Sequence, residues 1–298
     1  MSMRARAAAA AMLLSGIASA APLQCLGRGS SQWQVDETLL LVANPEGFEN
    51  QLRANLCVPL FARPGVLFDY TQWDVGVFNY VSPVYVEQGV YVDVAPLSFL
   101  QLRADFAGLV EWPLPLDGAG YFSLPGYTND YRDTQLPAAD AKSALGLNAT
   151  FSAVLQGAVP LGARLELLAS DTALVDWWLV GTGAYYVNLR RDVVLARSDL
   201  LIKNIAFLML SFTLLDGVWL RAGAVDDLSV VPASHAVINI LSGYFSVPLR
   251  RDGALRELEP YVRLGAYTNH PWRRGFTLMA GISLGWALPR SDGPHGVN

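Results

Sequence analysis

Residues 97–112, LSFLQLRADFAGLVEW, alternate with a period of two. One set is Leu100, Leu102, Ala104, Phe106, Gly108, Val110 and Trp112; the other is Gln101, Arg103, Asp105, Ala107, Leu109 and Glu111. Successive side chains of an extended strand point to opposite faces, so this stretch has one apolar face and one that accepts Arg and Asp. The pattern recurs. Leu52, Ala54, Leu56 and Val58 stand against Gln51, Arg53, Asn55 and Cys57; Val86, Val90, Val92 and Val94 against Tyr85, Glu87, Tyr91 and Asp93; and Pro260, Val262, Leu264 and Ala266 against Tyr261, Arg263 and Tyr267. Such a chain folds as an all-β protein, and what remains open is which solvent wets each face.

In a soluble sheet the polar face meets water and the apolar face a core. In a membrane barrel the assignment is inverted, with apolar residues on lipid and polar ones in the lumen. Hydropathy favours the second. The chain is 52% hydrophobic with mean hydropathy +0.29. Beyond the first twenty residues the longest apolar run, between Lys203 and Asp216, has 12 residues and includes Asn204, too short for a membrane helix. Without a helix, that surface is buried in a large core or against lipid as tilted strands of about 9–11 residues.

The amino terminus carries Arg4 and Arg6, a small apolar run and Ala18-Ser19-Ala20, the three-part pattern of a secretory signal peptide over residues 1–20. The expected organisation is then a periplasmic segment 21–32, a barrel over 33–288 and a short tail 289–298. Without Arg4 and Arg6 the balance is 19 basic against 26 acidic side chains, which gives no footprint for nucleic acid.

Strands are predicted at about 33–42, 50–61, 66–79, 84–94, 99–112, 143–156, 163–172, 201–213, 218–226, 236–248, 258–268 and 275–288. Short turns then fall on alternate connections, and the two long segments, 113–142 and 173–199, share the opposite end, as in membrane barrels. The expected fold is an antiparallel up-and-down transmembrane β-barrel of about 12 strands. Fourteen is the alternative, if segment 173–199 holds two more.

The last strand resembles the carboxy-terminal assembly signal of Gram-negative outer-membrane β-barrels: a glycine, a hydrophobic residue three on and an aromatic five on, at Gly281, Leu284 and Trp286. Met279 and the tail after the aromatic depart from that pattern. The resemblance implies the lipid bilayer and the barrel-assembly machinery as partners and the outer membrane as location.

The inward-facing set supplies candidates for a lumen or constriction: Arg53, Asp74, Glu87, Asp93, Arg103, Asp105 and Arg263, with Tyr85, Tyr91, Tyr261 and Tyr267 as a stacking track or as space-filling partners of the charges. Such a lumen would pass a small polar solute passively. The alternative is a structural or surface-interaction barrel closed by its own charged and aromatic side chains. Trp112, Trp177, Trp178, Trp272 and Trp286 are expected as interfacial girdles, and Ala107 is expected to face a polar lumen, where crowding would add to the cost of a larger side chain. Cys25 and Cys57, the two cysteines, are expected to form a disulfide in an oxidising periplasm. No cofactor, metal site or enzymatic activity is expected. His235, His270 and His295 lack a serine partner on a strand, and an acid-base site of His235 and His270 with Asp226 and Asp227 is the only catalytic grouping in view.

Overall fold

A computed structural model describes residues 31–61, 67–68, 71–114, 120–128, 131, 136, 140–250 and 254–289. In chain order the strands are β1 (Gln32–Ala43), β2 (Gly47–Pro59), β3 (Gln72–Ser82), β4 (Tyr85–Leu97), β5 (Leu100–Glu111), β6 (Ser123–Leu124), β7 (Ala144–Pro160), β8 (Leu165–Val180), β9 (Tyr185–Asn188), β10 (Val193–Ala196), β11 (Ser198–Leu215), β12 (Val218–Val231), β13 (Ala236–Ser246), β14 (Leu249–Arg250), β15 (Leu255–Asn269) and β16 (Phe276–Pro289). Twelve of these make an antiparallel wall, and β14 caps one rim by bridging β12 and β15. β1 pairs with β16 from Gln32↔Pro289 to Ala43↔Leu278, which closes the sheet on itself. Closure leaves no ladder edge for lipid to meet, the condition for spanning a bilayer with strands.

The wall is staggered. A row of paired residues that starts at Thr38, in the middle of β1, runs through Gln51, Tyr80, Glu87, Leu109 and Gly146 to Val180, the last residue of β8. Strands of a closed barrel must tilt in this way, by about 40°.

Facing follows the alternation. Leu41, Val77, Val90, Phe106, Phe151, Leu208, Leu241 and Leu264 are exposed on the outside, whereas Glu49, Asn55, Asp93, Asp176 and Lys203 are buried inside. A soluble sheet would reverse both sets, so the outer solvent is hydrocarbon. Trp33, Trp73 and Trp286 face outward on three wall strands near the end where β1 begins, an interfacial belt. A closed antiparallel barrel with this inside-out assignment is a bacterial outer-membrane protein.

Several expectations are corrected. β3 begins at Gln72 rather than 66, since the outward apolar series starts only at Trp73, and the connection 60–71 is longer than the expected turn. Segment 173–199 adds no wall strand: β8 runs on to Val180, and β9 and β10 pair with each other and β6 apart from the wall. The long connections 112–143 and 181–197 leave the same end, taken as extracellular, but that end also has the tight turns 44–46 and 83–84. Trp178 is fully buried inside and Trp272 packs against the interior cluster, so neither belongs to a girdle.

Candidate functional site: an occupied lumen

The connection from β8 to β11 carries a hairpin with no polar face. Tyr185, Tyr186 and Val187 on β9 pair with Ala196, Leu195 and Val194 on β10, and with both faces apolar the hairpin must be covered on both. The barrel mouth covers it. Tyr186, Val187, Leu189, Val193, Val194 and Leu195 form one buried cluster with the wall residues Tyr85, Leu109, Trp178, Leu201, Ile240 and Tyr267. The chain leaves β8 through Gly181 at φ +65°, where a Cβ would sit 2.4 Å from the Tyr121 ring, so only glycine fits. Tyr121 stacks on Tyr186 (5.8 Å between centroids) and its hydroxyl accepts from the Gly183 amide at 3.1 Å.

The hairpin tip, Asn188–Asp192, is where the lumen's chemistry concentrates. Arg190 pairs with Glu87 of β4, lies 3.8 Å from Glu49 of β2, and covers the Tyr80 ring of β3 at 4.7 Å. Arg191 pairs with Asp176 of β8 and covers Trp178 at 5.8 Å. Asp192, in the left-handed region at φ 52°, reaches the β15–β16 connection: His270 Nε2 lies 3.1 Å from its Oδ2 and Arg273 Nη2 donates to its Oδ1 at 3.2 Å. His270 Nδ1 accepts the backbone amides of Trp272 and Arg273 (3.2 and 2.9 Å), which leaves the ring proton on Nε2 for Asp192. Burial would raise the Asp192 carboxyl, but Arg273 and His270 outweigh it and hold the group below the usual carboxylate range. The tip thus grips β2, β4, β8 and the far rim at once.

A second buried group lies on the wall. Asp227 of β12 takes Lys203 Nζ of β11 at 2.9 Å and Arg263 Nη1 of β15 at 3.3 Å, and Arg263 Nε donates to Ser242 Oγ at 2.8 Å. An apolar arc of Ile205, Phe207, Met209, Val225, Tyr244 and Tyr261 adjoins it on the inner wall, which makes that sector oily, as the sequence of β11 implies.

The remaining predicted lumen residues gather on β2 to β5. Arg53 donates to the Tyr80 hydroxyl from Nε and Nη2 (3.0 and 2.8 Å). Arg103 pairs with Asp105 at 2.6 Å and lies over the Tyr91 ring at 4.0 Å. Asp74 accepts from Asn55 (3.0 Å) and Gln72 (2.9 Å), Asp93 accepts from Gln101, and the two carboxylates stand opposite each other across β3 and β4. Tyr85 donates to Glu49. Tyr261 stacks on Tyr244, whereas the Tyr267 hydroxyl donates to Asn44 O at 3.1 Å. Tyr85 and Tyr91 lie on β4 and Tyr261 and Tyr267 on β15, across the barrel from each other, so they form no single track. Cys57 is buried on β2 opposite Gln32 and Asp74; Cys25 lies outside the described residues, as do the signal-peptide segment and the tail beyond Pro289. Gly281 lies beneath Tyr261, where a Cβ would come within 2.6 Å of the ring, while Leu284 and Trp286 face outward on the same strand.

The acid-base grouping of the two histidines does not form. Asp226 points outward and Asp227 inward, His235 is exposed in a turn, and His270 belongs to Asp192. Among the described residues no three His, Cys, Asp or Glu side chains converge as metal ligands would. Sequence reasoning missed Glu49, Asp176, Arg190, Arg191, Asp192 and Lys203, and placed Asp227 in a rim grouping with the histidines. The signal for the three tip residues was there in YYVNLRRDVVLA, a charged turn between apolar arms that no exposed loop would carry.

No protein-family model matches the chain, and no curated protein sequence matches it. Among solved structures, the outer-membrane channel COG4313 from Pseudomonas putida F1 aligns over 91% of this chain and 99% of its own, at 9% identity and TM-score 0.44. The NanC porin aligns over 85% and 100%, at 9% identity and TM-score 0.39. The KdgM porin, in complex with disordered oligogalacturonate, aligns over 86% and 99%, at 7% identity and TM-score 0.37.

Proposed function

We propose that the protein is an outer-membrane channel for a small polar solute, held shut from the extracellular side by its own β9–β10 hairpin. The observation that carries this reading is the tip Arg190–Asp192, ion-paired to four separate elements around the lumen. A passive pore would leave its lining charges wet. Here Glu49, Glu87 and Asp176 are no more than 1% exposed. The lining from Arg53 to Arg263 then belongs to the pathway that opens when the hairpin withdraws, and the wall charges set which sign of solute passes. The Gly281, Leu284, Trp286 series would serve recognition by the assembly machinery.

Planar-bilayer recordings test the reading. The wild type should be silent or open rarely, and Arg190→Ala/Arg191→Ala should give discrete, frequent steps. Steady wild-type conductance equal to the variant's would remove the hairpin as a plug. Silence of both, with the variant folded by its heat-dependent gel mobility, would favour a structural barrel with a permanently closed lumen.

A further inference from the structure

The lipid-facing wall is not uniformly apolar. Asp171 on β8, Asn204 on β11, Asp226 on β12 and Asn239 on β13 all point outward and none is buried. Asn204 Nδ2 donates to Asp171 Oδ1 at 2.6 Å and Asn239 Nδ2 donates to Asp226 Oδ1 at 2.7 Å. Asn239 lies near the rim, opposite the last residue of β15, but Asn204 and Asp226 lie inside the apolar band. On β11 the outward residues on either side of Asn204 are Leu200 and Ile202 above and Ala206, Leu208 and Leu210 below; on β12 Asp226 lies between Ala222 and Ala224 below and Leu228 and Val230 above. Asn204 Nδ2 also reaches Thr172 O at 3.4 Å and Asn239 Oδ1 accepts from the Thr268 hydroxyl, but hydrocarbon offers nothing to the second oxygen of either carboxylate or to Asn204 Oδ1, and each unmet group there is costly.

The register brings two of the four level with each other. Asn204 is paired with Leu228 and Ala206 with Asp226, so Asn204 and Asp226 sit on a two-residue diagonal of the ladder. In a wall tilted by about 40° one such diagonal stands nearly upright and the other runs nearly level. The paired rows climb from β1 towards the extracellular end of β8. That sense makes Asn204–Asp226 the level diagonal. The outward side chains around them include five small ones, Ala173, Ala206, Ala222, Ala224 and Gly243, with Ile202, Leu208, Leu228 and Leu241 between and beside them. Small residues at these positions form hollows between the branched side chains, into which a second wall can pack inside a membrane. The similar pair Glu37–Asn50 (2.7 Å) on β1 and β2 lies among Leu39, Leu41 and Leu52, without a comparable set of alanines and glycine.

We propose that the β8–β13 face is a two-fold interface with a second copy of this chain. A two-fold axis along the membrane normal, passing between β11 and β12, sets Asn204 of each copy against Asp226 of the partner subunit. The pairing is reciprocal, as an isologous contact requires. Carboxylate meets amide twice, and the small residues close the gap between the walls.

The test uses the full-length protein in lipid nanodiscs, with oligomeric state read by native mass spectrometry over a series of lipid dilutions. The wild type should be dimeric. Asn204→Leu/Asp226→Leu suits lipid better than the native pair, so it should assemble with normal heat-dependent mobility yet dimerise roughly tenfold more weakly. A wild type that stays monomeric at every dilution, its polar pairs being met by lipid and water alone, overturns the proposal. So does a double variant as dimeric as the wild type. Should that variant fail to assemble, Ala206→Leu keeps the wall apolar while filling the centre of the contact; weakened dimerisation supports the interface, and unchanged dimerisation refutes it.

Discussion

The Lys203–Asp227–Arg263 group can serve as a gauge of how dry the lumen is. Its three side chains are 1%, 3% and 4% exposed, and Asp227 is the carboxylate both cations share. Asp227→Asn keeps the shape and removes the charge, which leaves a buried ammonium and guanidinium facing a neutral amide. Breaking a buried pair from one side costs about 3–5 kcal/mol. The same change in a water-filled channel would cost about 0–1 kcal/mol and fade further with salt. Lys203→Met should cost less than Asp227→Asn, because Asp227 keeps Arg263 and Arg263 keeps Ser242. Replacing all three by apolar residues of similar size should recover most of the loss, since a buried ionic group adds little over a well-packed apolar one. Urea titration of the barrel folded in lipid vesicles, followed by gel mobility and tryptophan fluorescence, gives the series. A cost for Asp227→Asn below about 1 kcal/mol that shrinks with salt would show water at this level and refute the occluded lumen.

Ala104, exposed on the lipid face, should cost about 2–4 kcal/mol as Arg if it lies at the midplane. Ala107 is 1% exposed and packs with Phe78, Tyr80 and Tyr91, so Ala107→Arg should cost at least as much, about 3–5 kcal/mol for an unpaired buried charge; the two unfolding midpoints in vesicles decide the order. Asp192 titrates below its ordinary 3.8, so its contribution to stability is present above that pH and lost as the pH falls through the depressed value. The difference in melting temperature between wild type and Asp192→Asn should therefore be constant from neutral pH down to about 4 and shrink only below it; a difference that vanishes by pH 6 would contradict the Arg273 and His270 contacts. If Cys25 and Cys57 are bridged, alkylation of the unfolded, unreduced protein labels neither, and stoichiometric labelling of both removes the bridge. Channels opened by Arg190→Ala/Arg191→Ala should select cations, as reversal potentials in a salt gradient would register; anion preference would mean that the acidic ring does not line the path.

The wall was legible because its physics is local. Alternation at 97–112 fixes which side of β5 each residue takes without reference to any neighbour, and the structure keeps that assignment for Arg103, Asp105 and Phe106. The same holds for Gln51, Arg53, Asn55 and Cys57 on β2 and for Tyr261, Arg263 and Tyr267 on β15. What alternation cannot give is what lies opposite an inward side chain. Ala107 reads as a small residue beside water, yet it is part of a packed cluster with Phe78, Tyr80 and Tyr91. Trp178 reads as an anchor near a strand end, yet it stands under the Arg191 guanidinium. In both cases the deciding neighbour is distant in sequence and invisible to a period-two reading.

Charge balance narrows that gap. On the extracellular half of the inner wall Glu111 is buried along with three carboxylates that face the hairpin tip, Glu49, Glu87 and Asp176, and the cations of the Asp227 group are already engaged there. Buried carboxylates without a cation are unstable, so a wall of this composition is either wet or filled by something basic. A twelve-strand barrel is too wide for its own inward side chains to meet across the axis as they do in eight-strand barrels, which leaves room for a guest. The guest must be apolar where it meets Leu109, Trp178 and Ile240 and cationic where it meets the three acids. The stretch YYVNLRRDVVLA answers both demands within twelve residues, with Arg190 and Arg191 at the turn and apolar arms on either side. Plug and wall are thus complementary in sequence before any fold is drawn, and the ion pairs at the tip are the consequence of an acidic lumen closing on its basic insert.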